Sequence, residues 1–424
     1  MEEAFDTRKL VDHLFRHEAG KMIAILTRLF GLQHLELAED VVQEAFLRAA
    51  QTWAYQEIPR NPAAWLMQVA RNRAVDILRK NNLIDRHHRK MAASGDDSDL
   101  PLLDSFFLED EITDSQLQMI FACCHPALDH DDQLALTLNA VSGFGIAEIA
   151  HALLTKESTI QKRLYRAKQF IRDQHIQLEI PRGKALQARL DTVYTVIYLI
   201  FNEGYNSTRS TEIIRKDLCA EAMRLCKLLS EHPAGNKPMT FALLSLMCFH
   251  ASRFESRVNE KNEIILLQEQ DRSKWDKELI ALGYHFLSQA SEGNQISIYH
   301  IESAIAAEHC LSQSFRETNW NRILQLYDLL LEQKRSDLVL LNRSVVLAQT
   351  GSLQVAIDQI LQIKHIEKLL QSQYIFSAVL GDLYLQAGSF EKAREYLNKA
   401  YALTHSQAEK KLIAAKLAKT NSDN

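Results

Sequence analysis

The sequence contains few of the residues that interrupt helices. Only 13 Gly and 7 Pro occur among 424 residues, although average usage is about 7% and 5%. No segment alternates apolar and polar residues for long enough to indicate a sheet. Hydrophobic residues still make up 46% of the chain, so about two to four domains can each bury a core. The composition therefore predicts an all-α protein.

The sequence also shows no secretory leader, membrane span or disulfide framework. The first residues, MEEAFDTRKLVDHLF, are charged from position 2, which is unlike a signal peptide. The longest apolar run, Thr192–Phe201, has half the length that a membrane span needs. We therefore expect a cytoplasmic protein with reduced thiols. The six cysteines are Cys123, Cys124, Cys219, Cys226, Cys248 and Cys310.

Charge of each sign is unevenly distributed. The net charge of −5 by itself argues against nucleic acid as a partner. However, the segments 71–90 and 156–172 are strongly basic, and the segment 91–114 between them contains no basic residue. Two basic segments separated by an acidic tether form an organised pattern, with unrelated solvated helix faces as the alternative.

The first basic segment belongs to a pair of amphipathic helices. In AEDVVQEAFLRAAQTW (38–53), Val41, Ala45 and Ala49 share one side, so the other sides offer polar groups to a partner. After the loop YQEIPRNP (55–62), Asn61 and Pro62 suit the N-cap and first position of a second helix. One face of that helix mixes aromatic, amide and guanidinium groups, which can stack on unpaired bases; packing of the tryptophan into the domain is the alternative.

The motifs DVVQEAFLR (40–48) and NPAAWLMQVARNRAVDILR (61–79) resemble region 2 of the extracytoplasmic-function (ECF) class of bacterial RNA polymerase sigma factors. The resemblance implies that the first helix binds the β′ clamp helices of the polymerase core. The residues expected there are Asp40, Gln43, Glu44 and Arg48. It also implies that the loop and the second helix bind the melted −10 element. The residues expected at −10 DNA are Tyr55, Asn61, Trp65, Gln68, Arg71, Asn72, Asp76, Arg79 and Lys80.

The second basic segment shows a helix-turn-helix pattern. GFGIAEIAHALL (143–154) predicts a short helix, TKES (155–158) breaks it, and TIQKRLYRAKQFIRD (159–173) predicts a basic second helix. This order is typical of the motif, with a plain three-helix turn as the alternative. The apolar stripe of the second helix is Ile160, Leu164, Ala167 and Ile171.

The same segment resembles sigma region 4, which implies contact with the −35 duplex and the β flap of the polymerase. The residues expected at −35 DNA are Thr159, Gln161, Lys162, Arg163, Arg166 and Lys168. About six neutralised phosphates per block predict a log–log salt slope near −5. Because the whole chain is acidic, we expect specific DNA binding mainly in the holoenzyme.

The remainder of the chain is helical and contains an internal repeat. SVVLAQTGSLQVAIDQILQI (344–363) superposes on LYLQAGSFEKAREYLNKA (383–400) and places Gly351 on Gly388 and Ala356 on Ala393. The second copy resembles the tetratricopeptide (TPR) pattern, but the offset exceeds the usual period of about 34 residues, which predicts a longer connection. Together with a weaker copy at 300–334, the repeats predict a small solenoid whose concave face suits a protein partner. The alternative is a purely structural extension.

The resemblance divides the chain into five segments. They are 1–90 (region 2), 91–114 (acidic linker), 115–180 (region 4), 181–300 (helical extension) and 301–419 (TPR-like repeats). The layout resembles an ECF subgroup in which FACCHPAL, LIFNEGY and DLCAEA recur and the extension takes part in controlling activity. It implies a non-enzymatic sigma factor without a cofactor or metal, which binds core polymerase and promoter DNA. A helix-turn-helix regulator with a TPR domain is the main alternative.

FACCHPAL (121–128) raises a third class, a metal or thiol enzyme centred on Cys123, Cys124 and His125. Adjacent helical residues point about 100° apart, and no second Cys/His pair lies at zinc-ligand spacing. Leu117, Ile120, Phe121 and Cys124 fall at helical spacing. We therefore expect this stretch to end the first helix of region 4, with both thiols buried as small hydrophobes and redox sensing as the lesser alternative.

Overall fold

Helices account for the regular structure of the chain. The computed structural model describes residues 2–81, 109–153, 155–206, 213–261 and 263–420. Within these ranges, strand pairing is limited to one antiparallel bridge between Val258 and Ile264. The predicted all-α class is therefore confirmed. No helix in the same ranges is long and apolar enough to cross a membrane.

The chain divides into two compact units, Met1–Ile200 (unit 1) and Phe201–Asn424 (unit 2). The division falls inside a single helix. In unit 1 the helices are α1 (Glu2–Phe30), α2 (Leu35–Trp53), α3 (Pro62–Asn81), α4 (Glu109–Cys123), α5 (His130–Ala140), α6 (Ile146–Ala152), α7 (Glu157–Asp173) and the first part of α8 (Lys184–Tyr205).

Helix α1 organises unit 1, because α2, α3 and α4 all pack against it. The apolar side of α2 is buried as predicted, with Val41, Ala45 and Ala49 at most 2% exposed. Helix α3 begins at Pro62 because the Oδ1 atom of Asn61 accepts a hydrogen bond from the backbone N–H of Ala64 at 3.1 Å, which satisfies one of the helix's first donors.

The N-terminal helices and the helices α4–α7 approach each other closely at a glycine. Gly20 lies within α1, and a Cβ atom there would be 1.8 Å from the carbonyl oxygen of Val141, just after α5. Beside it, Gly143 has a φ of +69°, a conformation that favours glycine. Two backbones therefore touch here because no side chain separates them.

Unit 2 begins with a helical layer around one apolar helix. The helices of the unit are α9 (Lys216–Glu231), α10 (Pro238–Ala251), α11 (Phe254–Arg257), α12 (Lys277–Ala290), α13 (Ile298–Leu311), α14 (Trp320–Gln333), α15 (Asp337–Gln349), α16 (Leu353–Leu361), α17 (Ile366–Ser372), α18 (Tyr374–Gln386), α19 (Phe390–Leu403) and α20 (Gln407–Lys419). Helix α10 packs against α9, α12 and α13. Because it is apolar on all sides, it forms the centre of this layer.

The two copies of the predicted repeat form two helix pairs, α15–α16 and α18–α19. Gly351 and Gly388 make the turn of each pair with φ values of +89° and +71°, while Ala356 and Ala393 are fully buried. The short helix α17 lies in the connection between the pairs, which accounts for the long offset. Assignment of these pairs to the TPR family stays a prediction.

Between α11 and α12 lie residues 258–261 and 263–270, which include one turn of 3-10 helix at Leu267–Glu269; we call this segment the strap. The backbone N–H of Ile265 donates to the carbonyl of Arg257 at 2.8 Å, which holds its start against α11. Further along, Glu263 lies 3.6 Å from the ammonium group of Lys411. The strap therefore reaches α20, the last helix of unit 2.

Candidate polymerase and nucleic-acid interface

Helix α2 presents a polar surface opposite its buried stripe. The four side chains predicted to bind core polymerase, Asp40, Gln43, Glu44 and Arg48, are all exposed. The carboxylate of Glu44 also accepts a 2.8 Å ion-paired hydrogen bond from Arg73 of α3. Leu47 lies among them and is 60% exposed. Periodicity alone does not flag Leu47, because an aliphatic residue on an amphipathic helix is usually assigned to the core.

The loop before α3 and the outer face of α3 form a second continuous surface. Tyr55 is 92% exposed. Trp65 is half-buried, and its ring tilts against that of buried Trp53 with 5.3 Å between centroids. It therefore packs on the domain with one side and remains accessible with the other.

The amide and charged residues of α3 lie along the same helix. Gln68 donates from Nε2 to the Oδ1 atom of Asn72 at 2.9 Å, and both side chains are exposed. Asp76 is also exposed, whereas Arg71 is half-buried. The side chains of Arg79 and Lys80 lie outside the described residues.

Helices α6 and α7 form the predicted helix-turn-helix pair. The apolar stripe of α7, Ile160, Leu164, Ala167 and Ile171, is buried as expected. On its outer side Gln161, Lys162 and Arg166 are exposed, while Thr159, Arg163 and Lys168 are half-buried. Tyr165 lies among them and is 61% exposed. The sequence pattern does not single it out, because Tyr165 belongs neither to the apolar stripe of α7 nor to its basic residues.

Most of the basic side chains on α7 are paired with acids inside unit 1. Arg163 pairs with Asp131, and Arg166 donates to Asp132 at 2.7 Å. Both acids lie in the first turn of α5. These two pairs tie α7 to α5 and partly neutralise the face that was predicted to meet duplex DNA.

The other two pairs run from α7 to α2. The ammonium group of Lys168 lies 2.6 Å from the carboxylate of Glu39, and their side chains are only 13% and 15% exposed. Arg172 donates to Glu36 at 2.8 Å. Burial raises the pKa of the Glu39 carboxyl, and Lys168 acts in the opposite direction. These two ion pairs therefore hold region 4 against α2 of region 2. Glu39 is the direct neighbour of Asp40, the first residue expected to bind core polymerase.

The FACCHPAL stretch contains the end of α4, in the interior of unit 1. Cys123 and Cys124 are fully buried, which confirms the packing interpretation. Burial raises the pKa of Cys124 to about 12, despite a contact of 3.8 Å between its sulfur and the hydroxyl of Thr137. Both thiols therefore stay protonated at neutral pH, unlike a thiol nucleophile. Within the described ranges, no three His, Cys, Asp or Glu residues are grouped so as to hold a metal ion.

Known families match three segments of the chain. Sigma-70 region 2 matches residues 14–84, sigma-70 region 4 matches residues 118–171, and a family of unknown function (DUF6596) matches residues 189–291. The region 2 match covers the helices with the polar surfaces, and the region 4 match covers the helix-turn-helix pair. The third match lies in the extension.

Relatives were found both for the whole chain and for its first part. An uncharacterized protein of Rhizobium meliloti is 32% identical over 390 residues, 91% of this chain and 90% of that protein. The ECF RNA polymerase sigma factor SigM of Bacillus subtilis is 26% identical over 163 residues, 38% of this chain and 91% of that protein.

The ECF RNA polymerase sigma factor SigE of Mycolicibacterium smegmatis is 28% identical over 162 residues, 38% of this chain and 60% of that protein. No solved structure matches the chain significantly. The chain therefore belongs to the ECF RNA polymerase sigma factors: it carries sigma-70 regions 2 and 4 ahead of a long helical extension, and it directs transcription initiation as a non-enzymatic partner of RNA polymerase and promoter DNA.

Proposed function

We propose that the exposed surface of α2 binds the β′ clamp helices of core polymerase. The observation that supports this is the clean division of α2 into a buried apolar stripe and an exposed polar side with Asp40, Gln43, Glu44 and Arg48. Leu47, exposed at their centre, adds an apolar contact of the kind that anchors protein interfaces. The segment boundaries 1–90 and 115–180 for the two sigma regions belong to the same proposal.

The −10 element binds along the loop before α3 and the outer face of α3. Tyr55 and Trp65 offer aromatic surfaces on which unpaired bases stack. Asn61, Gln68 and Asn72 supply amide groups, although the Oδ1 atom of Asn61 also caps the helix. Separated strands expose base edges that a duplex hides, so this surface favours the melted state.

The −35 duplex binds to the outer side of α7. Gln161 and Lys162 are exposed near the start of the helix, where recognition helices meet base edges and phosphates. Tyr165, one turn further on, is placed to contact the DNA backbone. The β flap binds region 4 as a second polymerase contact.

Simultaneous contact with both promoter elements requires region 4 to leave region 2. The two elements are roughly 25 base pairs apart, which corresponds to about 85 Å along the duplex. A compact unit of about 200 residues has a radius of gyration near 16 Å and is roughly 40 Å across. The paired state of α7 and α2 is therefore a closed form, and binding of polymerase at α2 favours its opening.

The extension modulates the activity of the two sigma regions from within the same cytoplasmic chain. Its helix pairs α15–α16 and α18–α19 stack into a short solenoid, an architecture that presents an extended face to partners. This proposal accounts for a continuation of more than 200 residues behind region 4, which promoter recognition itself does not use.

Transcription reconstituted from core polymerase and the full chain tests the residue assignments. The template is a random-sequence DNA library, and the 5′ ends of the transcripts are sequenced. Wild-type protein should enrich a −10 and a −35 motif. Trp65→Ala should lower strand opening measured by permanganate reactivity, and Lys162→Glu should lower closed-complex formation.

Lys334→Glu is the matched control, because it makes the same charge change at an exposed lysine of unit 2. It should leave both motifs and both rates unchanged. Equal loss in Lys162→Glu and in Lys334→Glu would show that net charge, rather than the α7 surface, decides promoter binding.

A further inference from the structure

Unit 2 contains a half-open groove that its fold does not fill. The cavity measures about 510 Å³ and lies between the strap on one side and α15, α18 and α20 on the others. Ile264, Leu266, Leu267 and Gln268 line it from the strap, and Val345 and Ala378 line it from the helices. The volume lies within the range of known ligand sites.

The charged groups that line the groove are already matched by neighbours. The ammonium group of Lys416 lies 2.5 Å from the carboxylate of Asp382. The carboxylate of Glu409 accepts hydrogen bonds from the hydroxyls of Tyr374 and Thr404. An occupant that carried a charge would lose hydration without gaining a counter-charge here. The groove therefore suits an uncharged, largely apolar occupant.

Both walls also offer groups that recognise a polypeptide main chain. On the strap, the backbone N–H groups of Ile264 and Leu266, which precede the 3-10 turn at Leu267–Glu269, donate to no described backbone carbonyl. On α15, Asn342 and Gln349 lie seven residues apart, hence on one face of the helix, and both line the groove. An amide side chain both donates and accepts, as a peptide unit requires.

The strap is suited to pair with an added strand. It already forms one antiparallel bridge, from Ile264 back to Val258, and its residues 264–266, which lie before the 3-10 turn, are aliphatic and only half-buried. A peptide that lies along an exposed strand edge gains main-chain hydrogen bonds, and alternate side chains then point into the groove.

We propose that this groove binds an extended peptide segment of a partner protein, uncharged and with aliphatic side chains at alternate positions. The proposal deepens the modulatory function proposed for the extension by naming the chemistry that the extension recognises. A second copy of this chain is the other candidate occupant, but it would have to offer an extended and uncharged segment of its own, and strand pairing in the described residues is limited to the bridge between Val258 and Ile264.

Binding is measured on the full chain with a combinatorial library of capped octapeptides and mass-spectrometric readout of the retained pool. Wild-type protein should retain peptides enriched in Val, Ile and Leu at alternate positions and depleted of Asp, Glu, Lys and Arg. Ala378→Trp, which fills the groove, should abolish that enrichment. Ala402→Trp, an identical change at an exposed alanine of α19, should preserve it.

Asn342→Ala provides a milder variant at an exposed position. It should weaken binding of the most enriched peptide by about tenfold, the effect of about one or two lost hydrogen bonds. Absence of enrichment over Ala378→Trp, or enrichment of charged peptides, would overturn the proposal. So would a wild-type dimer that Ala378→Trp converts to monomer. The peptide-binding assay contains no polymerase. Its outcome is therefore independent of the transcription assay that tests the proposed sigma function.

Discussion

Replacing Gly20 by alanine tests whether unit 1 must open to act as a sigma factor. The new Cβ atom would lie 1.8 Å from the carbonyl oxygen of Val141 and 2.8 Å from its carbonyl carbon. Because both atoms belong to the main chain, no side-chain rotation can make room. Region 4 must therefore move away from α1, although the substitution touches none of the residues proposed to bind polymerase or DNA.

The size of the effect follows from two opposing contributions. Within an isolated helix, Gly→Ala is stabilising by about 0.5–1 kcal/mol, and this gain applies to both the closed and the open form. The overlap with Val141 costs about 1–3 kcal/mol, the usual range for overpacking, and it applies to the closed form alone. We therefore expect the closed-to-open equilibrium to shift towards the open form by about 5–150-fold.

Förster transfer between dyes at Gln51→Cys and Gln169→Cys measures this shift, since both positions are exposed. Cys310 is replaced by serine, because the other five cysteines are buried. In Gly20→Ala the population at long distance should grow, and the free chain should bind −35 duplex more tightly. Gly145→Ala is the control, since the nearest atom to its Cβ would be 3.7 Å away.

A folded Gly20→Ala protein with the wild-type distance distribution would refute the reasoning. If that variant proves unstable, Glu36→Lys supplies an independent perturbation. It places a positive charge opposite Arg172, which Glu36 contacts at 2.8 Å, and it should open unit 1 in the same direction.

Four further outcomes are expected. Lys162→Ala should weaken −35 binding by the holoenzyme and reduce the magnitude of its log–log salt slope by about one. Burial raises the pKa of Cys124 from 9.0 to about 12, so between these pH values the unfolded chain releases a proton that the folded chain keeps. The free energy of unfolding, measured by chemical denaturation, should therefore fall as pH rises above about 9. Burial and neighbouring guanidinium groups lower the pKa of His250 from 6.5 to about 3, so stability should fall as pH drops from 6.5 towards 3, and less so in His250→Gln. Gly381→Ala, whose Cβ would lie 2.7 Å from the Leu397 side chain, should cost unit 2 about 1–3 kcal/mol by overpacking, less the about 0.5–1 kcal/mol that alanine gains within a helix, and so lower the melting temperature.

Local patterns were sufficient for much of the secondary structure. The spacing of Ile160, Leu164 and Ala167 predicts the buried side of α7, since helical geometry places such residues on one side of the same helix. The N-cap at Asn61 and the turn at Gly351 are local for the same reason. Both depend on hydrogen bonds or backbone angles within a few residues.

Exposure of individual functional residues was only partly predictable. Leu47 and Tyr165 are exposed hydrophobic residues on amphipathic helices, and a pattern cannot distinguish a core position from an apolar contact for a partner. Trp65 illustrates the same limit, because its ring packs on Trp53 and is still accessible. Which side of the ring is covered depends on a neighbour from another helix.

The amino-acid sequence is enough to predict that this protein is helical, that it contains the two sigma regions, and that FACCHPAL is a buried helix end. These properties follow from composition, short-range periodicity and motifs. The pairing of Lys168 with Glu39, 129 residues away, and the groove beside the strap in unit 2 become visible only in the folded chain. Such contacts depend on how separate helices pack, and short-range periodicity carries no information about which distant charges or backbones will meet.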